Sequence, residues 1–397
     1  MDRRSGRPRA WTSPFVAGRR GGATHAAWPR GLKGRRVGLI TNPTGVNRDL
    51  VSTVDLLHQH PDVELVALFG PEHGVRGEVQ DGLAVEAYTD PVTGLPVYSL
   101  YGDTPKPTQE MVAGLDTLAF DIQDVGVRFY TYLSTMVLAM EAAADYGLQF
   151  VVLDRPNPLT GVKVEGPLLD PAFQSFVGCG PVPIRHGLTL GELALFFNAE
   201  RGIGADLTVV PLAGWTREQW YDETGLAWIP PSPNMPTLDT ATVYPGTCLF
   251  EGTNLSEGRG TTKPFEWIGA PWIDGTAWAR ALNDLDLPGV RFRPVTFRPT
   301  FSKFAGESCQ GVQVHVRDRD CFKPVRTGLA MLATARQRWP EHFEWKPDHF
   351  DRLMGTDRVR LALDQGTAVE EIGADWEAAE ADFVRRSQRY WLYVGDC

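Results

Sequence analysis

Cysteine is scarce in this chain. The 397 residues hold five: Cys179, Cys248, Cys309, Cys321 and Cys397. None has metal-ligand spacing and the number is odd, so a zinc site and a disulfide framework are disfavoured and a reducing compartment is expected. No run of about 18 apolar residues occurs, so no membrane-spanning helix is expected. The dinucleotide and P-loop glycine fingerprints are missing, as are H-E-x-x-H and G-x-S-x-G. Dehydrogenase, zincin and α/β-hydrolase readings therefore lose their usual support. Acid is nearly absent from residues 1–36, which hold ten Lys/Arg and one carboxylate, Asp2. Residues 1–33 also lack periodicity and the apolar stretch of a secretory signal, and read as a disordered basic tail.

The remainder is acidic, with 29 basic and 48 acidic residues, a net of −19. That argues against nucleic acid as the main partner. A cytoplasmic location is expected, since no export signal is visible. Hydrophobic residues make up 43% of the chain and charged ones 22%, which excludes wholesale disorder.

Short apolar runs at 37–41, 64–69, 96–99, 117–122 and 149–153 read as strands. Segments at helical spacing separate them, including Leu50–Leu57 and Leu133–Met140. This βα repetition predicts an α/β fold, with a Rossmann-like parallel sheet over residues 34–210. Thr189-Leu-Gly-Glu192 has the form of a capping box before an apolar helix. From Trp215 the character changes. Alternation of apolar and polar residues from Val290 to Arg317, with helical stretches from Val325 to Trp339 and from Trp376 to Tyr393, predicts a second α/β (α+β) subdomain over 211–397.

Polar loops follow the strand runs, and ligands of such sheets bind beyond the carboxyl ends of the strands. That edge would carry Glu72, His73, Arg76, Asp121, Asp124, Arg128, Asp154 and Arg155. A carboxyl near apolar walls suits a general acid, and Glu72 is the first candidate. Asp121 and Asp124 suit the second carboxylate of glycoside hydrolysis. Backbone capping is an equally good reading of either, and a metal site with His73 and Asp154 is a further alternative. Tyr130 and Tyr132 could pack on a sugar face, although core packing is the commoner role. Arg155 could pair with a ligand carboxylate, or internally with Asp154, while Glu165 could pair with an arginine. Arg185 and His186 precede the capping box and could face the same rim. Glu251 to Lys263 is rich in glycine and hydroxyl groups and could cradle an anion with Arg259.

Six segments together resemble one family. They are Gly38-Leu-Ile-Thr-Asn-Pro-Thr-Gly45, Phe69-Gly-Pro-Glu-His-Gly-Val-Arg-Gly77, Asp121–Tyr132, Leu153-Asp-Arg-Pro-Asn-Pro158, Pro231-Ser-Pro-Asn-Met-Pro236 and Leu249-Phe-Glu-Gly-Thr-Asn254. The resemblance is to the NamZ-type exo-β-N-acetylmuramidases and covers about residues 34–397. It implies an exo-acting glycosidase that releases terminal β-linked N-acetylmuramic acid from peptidoglycan fragments. It also implies a Rossmann-like domain whose site lies in a cleft against a second subdomain, with no cofactor. The family glutamate falls on Glu72. The second catalytic group stays open among Asp121, Asp124 and Tyr130. Within the motifs, Asn42, His73, Asn157, Asn234, Glu251 and Asn254 become candidate substrate ligands, as does Glu165 in the segment that follows the fourth motif. Arg76, Arg128, Arg155, Arg185 and Arg259 become candidates for the lactyl carboxylate of muramic acid. A metal-dependent hydrolase and a non-catalytic muropeptide-binding protein are the competing expectations.

Overall fold

In a computed structural model, residues 32–76 and 87–393 are described. Most of the basic tail and Cys397 lie outside them.

The first half alternates strand and helix. Its elements are β1 (Arg36–Thr41), α1 (Thr53–His58), β2 (Glu64–Gly70), β3 (Tyr88–Thr89), β4 (Pro96–Ser99) and β5 (Thr117–Asp121). Then come α2 (Tyr132–Tyr146), β6 (Gln149–Leu153), α3 (Leu190–Glu200) and β7 (Asp206–Val210). The strands form one sheet in the order β3-β4-β2-β1-β5-β6-β7. All neighbours pair parallel except β3, the antiparallel edge strand. The central strands are apolar and buried on both faces, as a parallel sheet covered by helices requires. Chain direction across the sheet reverses between β1 and β5, a topological switch point.

The second half holds α4 (Leu238–Thr247), β8 (Trp267–Ala270), α5 (Gly275–Asp284), β9 (Val290–Phe297) and β10 (Cys309–Val316). It ends with α6 (Pro324–Arg338), α7 (Pro347–Met354), α8 (Arg358–Asp364) and α9 (Val369–Ser387). Its sheet is antiparallel, in the order β8-β10-β9. One hydrophobic core runs through both halves, from Phe120 and Met136 to Trp278 and Phe383.

Local chemistry sets the boundaries. The first helix begins at Thr53 rather than Leu50, because Ser52 caps it by accepting from the Val54 N–H, leaving Leu50 and Val51 exposed. The helix α2 is apolar on nearly every side because it packs against the sheet and against α3. It stops at Gly147, whose φ of 68° lets the chain turn back, with the Leu148 N–H reaching the Ala143 carbonyl at 2.8 Å. The capping box at Thr189 and Glu192 forms as the sequence predicts. The last helix begins at Val369, about two turns before Trp376, where the apolar pattern becomes clear. Helices α4 and α6 cross with backbones touching. A Cβ on Gly246 would lie 1.9 Å from the Pro324 carbonyl oxygen, so only glycine permits that approach.

Candidate active site

A cavity of about 310 Å³ opens where the two halves meet. The first half supplies Glu72 and His73 from the loop after β2, Tyr101 after β4, and Tyr130, Thr131 and Tyr132 at the start of α2. The proline-rich loop adds Ser232 and Asn234. The second half supplies Tyr244 from α4, Glu251 from the turn that follows, Arg259 and Phe265 from the glycine-rich loop, and His349 from α7.

The loop carrying Glu72 is tightly turned. His73 and Gly74 both have φ of 75°. Left-handed backbone is costly for a side chain other than glycine, and such geometry concentrates at functional sites. Glu72 is fixed from two sides. Thr131 Oγ1 donates to its Oε2 at 2.9 Å, and the Tyr101 hydroxyl bonds to the same carboxylate. Burial and the neighbouring Glu72 charge push the Tyr101 phenol up to about 12, so it remains a hydroxyl donor at neutral pH.

Aromatic rings form the apolar wall. Tyr130 packs edge-on against Tyr132 at 5.0 Å and against Tyr244 at 5.8 Å, and Tyr244 packs on Phe265 at 4.7 Å. Arg259 lies over the Phe265 ring at 5.0 Å, which adds a cation–π contact. Its Nη2 meets Glu251 Oε1 at 2.7 Å, and its Nε lies 3.5 Å from Glu257. Burial pulls the Arg259 guanidinium down to about 10, and the Glu72 charge acts against that pull. Glu251 Oε2 lies 3.3 Å from His349 Nε2. Burial pushes the Glu251 carboxyl above its ordinary range, against the pull of His349.

Of the residues expected at the site, Glu72, His73, Tyr130, Tyr132, Asn234, Glu251 and Arg259 share this cavity. The others do not line it. Asp121 accepts from Arg155 Nε at 2.6 Å and from Thr53 Oγ1 at 2.6 Å, so Asp121 and Arg155 are engaged with each other. Asp124 is buried. Its Oδ2 accepts from the Gly126 N–H at 2.7 Å, and burial raises its carboxyl to about 7. Asp154 accepts from Thr189, Gly191 and Tyr393 and so anchors the start of α3. With His73 in the cavity and these aspartates turned inward, the four residues of the metal-hydrolase reading do not form one ligand set. Among the described residues no group of three His, Cys, Asp or Glu side chains is arranged around a common point.

The arginines are also committed elsewhere. Arg76 forks onto Asp90 with two 3.0 Å bonds. Arg128 is fully buried and donates to the carbonyls of Pro167, Val182, Leu353 and Met354. Arg185 donates to the Leu159 carbonyl. Glu165 accepts from the Arg326 N–H at 2.8 Å. Three asparagines tie loops together. Asn42 reaches the Pro231 carbonyl and accepts from Thr44, Asn157 bonds to Leu188 and Leu159, and Asn254 bonds to His342 and Glu344. The rim expectation was right about the strand ends but not about where the side chains turn. Short polar residues there satisfy neighbouring backbone groups first.

Sequence reasoning missed Tyr101, Thr131, Ser232, Tyr244 and His349. Tyr101 had a signal, since it lies just beyond a strand end. Thr131 stands between two flagged tyrosines. His349 had none, because α7 reaches the cavity only through the tertiary fold.

The chain matches two family models, "Exo-beta-N-acetylmuramidase NamZ, N-terminal" over residues 37–239 and "Exo-beta-N-acetylmuramidase NamZ, C-terminal" over residues 242–393. It is 54% identical over 363 residues to the peptidoglycan beta-N-acetylmuramidase NamZ of Bacillus subtilis (strain 168), covering 91% of this chain and 88% of that one. Two crystal structures of DUF1343 family proteins from Bacteroides fragilis share the fold. One has a TM-score of 0.86 at 43% identity, covering 92% of this chain and 96% of its own. The other has a TM-score of 0.74 at 33% identity, covering 93% and 97%. The chain therefore belongs to the NamZ exo-β-N-acetylmuramidase family.

Proposed function

We propose that the chain is an exo-acting glycoside hydrolase that releases terminal β-linked N-acetylmuramic acid from peptidoglycan fragments. The single observation that carries this reading is Glu72. It is the residue chosen from chemistry and from the family motif, and it lines the inter-half cavity with a hydroxyl donor on either side. In this reading Glu72 protonates the departing glycosidic oxygen. Arg259 lies over Phe265 in the same cavity, and in this reading it receives the lactyl carboxylate of muramic acid. The tyrosine and phenylalanine wall offers apolar faces to a sugar ring. A cavity of about 310 Å³ is of a size that suits a small saccharide.

The test is an aryl β-N-acetylmuraminide beside the matching N-acetylglucosaminide, each with and without EDTA. Strong preference for the muraminide, with at most slow residual cleavage of the glucosaminide, unaffected by EDTA, is the expected result. Glu72→Gln should reduce turnover by at least ~100-fold with folding intact. Wild-type turnover in that variant would remove Glu72 from the mechanism. Tight binding of muramyl saccharides without any turnover would favour the binding-protein reading instead.

A further inference from the structure

Glycoside hydrolysis ordinarily needs a second carboxylate, and neither Asp121 nor Asp124 faces the cavity. Glu251 does. It comes from the other half of the chain, on the turn between α4 and the glycine-rich loop. Arg259 connects the two glutamates, because its Nη2 touches Glu251 at 2.7 Å and its charge interacts with Glu72.

Glu251 is held firmly. Arg259 occupies one oxygen and His349 faces the other at 3.3 Å. The turn beneath it is pinned by Lys303 Nζ, which donates to the carbonyls of Phe250 and Leu255 at 2.9 and 2.8 Å and to Glu257 at 2.9 Å. The His349 side chain is 36% exposed, which gives solvent a route to the carboxylate. An oriented carboxylate that lines the cavity beside a solvent-accessible imidazole is an arrangement suited to water activation.

We propose that Glu251 is the second catalytic carboxylate, the base that activates the attacking water; this rests on the glycosidase reading above. The water oxygen bonds to the anomeric carbon, and one water proton passes to Glu251. The bond from that carbon to the leaving oxygen breaks, and the leaving oxygen takes the proton carried by Glu72. Attack opposite the leaving group inverts the anomeric centre, so the first sugar released is the α anomer.

The experiment uses wild type, Glu251→Ala, Glu251→Gln and Asp121→Asn with an aryl β-N-acetylmuraminide. Both Glu251 variants should lose ~100- to 10,000-fold in turnover, while Asp121→Asn stays within about tenfold of wild type. Sodium azide should restore part of the turnover of Glu251→Ala. Azide bonds to the anomeric carbon, the phenolate departs, and the product is the α-glycosyl azide. Glu251→Gln keeps the shape of the side chain and a carbonyl for Arg259, so its loss cannot be charged to unfolding. Near-wild-type turnover in either variant would overturn the assignment. So would a folded, inactive Glu251→Ala that azide does not rescue, since Glu251 would then only position Arg259. Initial release of the β anomer by wild type would also overturn it. Absence of any wild-type turnover would instead defeat the glycosidase reading itself.

Discussion

Thr131 Oγ1 donates to Glu72 Oε2 at 2.9 Å, joining the start of α2 to the loop after β2. Although Thr131 stands at the N-cap of α2, its side chain makes no capping bond. Its hydroxyl therefore serves Glu72 rather than the helix. Thr131→Val keeps the shape and removes the donor. A hydrogen bond to a charged group contributes about 1.5–3 kcal/mol, so kcat on the aryl muraminide should fall about 10- to 100-fold with little change in melting temperature. Unchanged kcat would separate Thr131 from the work of Glu72.

Arg128 was expected at the substrate and instead joins the two halves of the fold. Its four bonds end on carbonyls from the 167–182 loop region and from the last turn of α7. A cation at that position satisfies carbonyls that have no partner within the helix. Burial pulls its guanidinium down to about 9, still above neutral pH, so the charge persists. Arg128→Met would leave four buried acceptors without their donor. The expected loss is about 3–5 kcal/mol, read as a lower urea midpoint. A midpoint equal to wild type would show that these carbonyls find other donors.

Asp124 gives the fold a pH signature. Burial raises its carboxyl from an ordinary value of 3.8 to about 7. The folded protein thus binds the proton more tightly than the unfolded chain. The resulting stability is complete below pH ~4 and is lost as pH rises through about 7. His186, 3.9 Å away, is pulled down to about 3 by burial and stays neutral across that window. Asp124→Asn cannot titrate, and its amide oxygen can still accept from the Gly126 N–H. Relative to wild type, the variant should gain stability between pH 4 and 7, by up to about 4 kcal/mol. Parallel stability curves for the two proteins over that range would refute the assignment.

The fold was largely legible because apolar runs and helical spacing alternate plainly. The strand runs at 37–41 and 117–122 became adjacent central strands, β1 and β5. The strands β3, β7 and β8 and the helices α4, α5, α7 and α8 were not read, since their boundaries depend on packing rather than on pattern. In the candidate site, chemistry and position point to the same residue at Glu72, which lines the cavity. Asp121 and Arg155 looked like two ligand-binding groups, yet they are one internal ion pair. Sequence shows that both reach a strand end, but not that Thr53 and Val46 complete their coordination from another loop. His349 could not be found at all, because it joins Glu251 across 98 positions of chain.

Arg259 offers the sharpest test of substrate choice. It contacts Glu251, and it is also the cation proposed for the lactyl carboxylate. The two roles separate by substrate, because an N-acetylglucosaminide lacks that carboxylate. A charge-assisted contact is worth about 1.5–3 kcal/mol, so loss of recognition alone should raise KM for the muraminide about 10- to 100-fold. In Arg259→Met, that rise should appear for the muraminide, while the slow residual cleavage of the glucosaminide is unchanged in KM. The preference between the two substrates would then narrow by the same factor. If Arg259 served only to hold Glu251, kcat would instead fall for both substrates alike and the preference would survive. Measuring kcat and KM for both glycosides in the one variant decides between these outcomes.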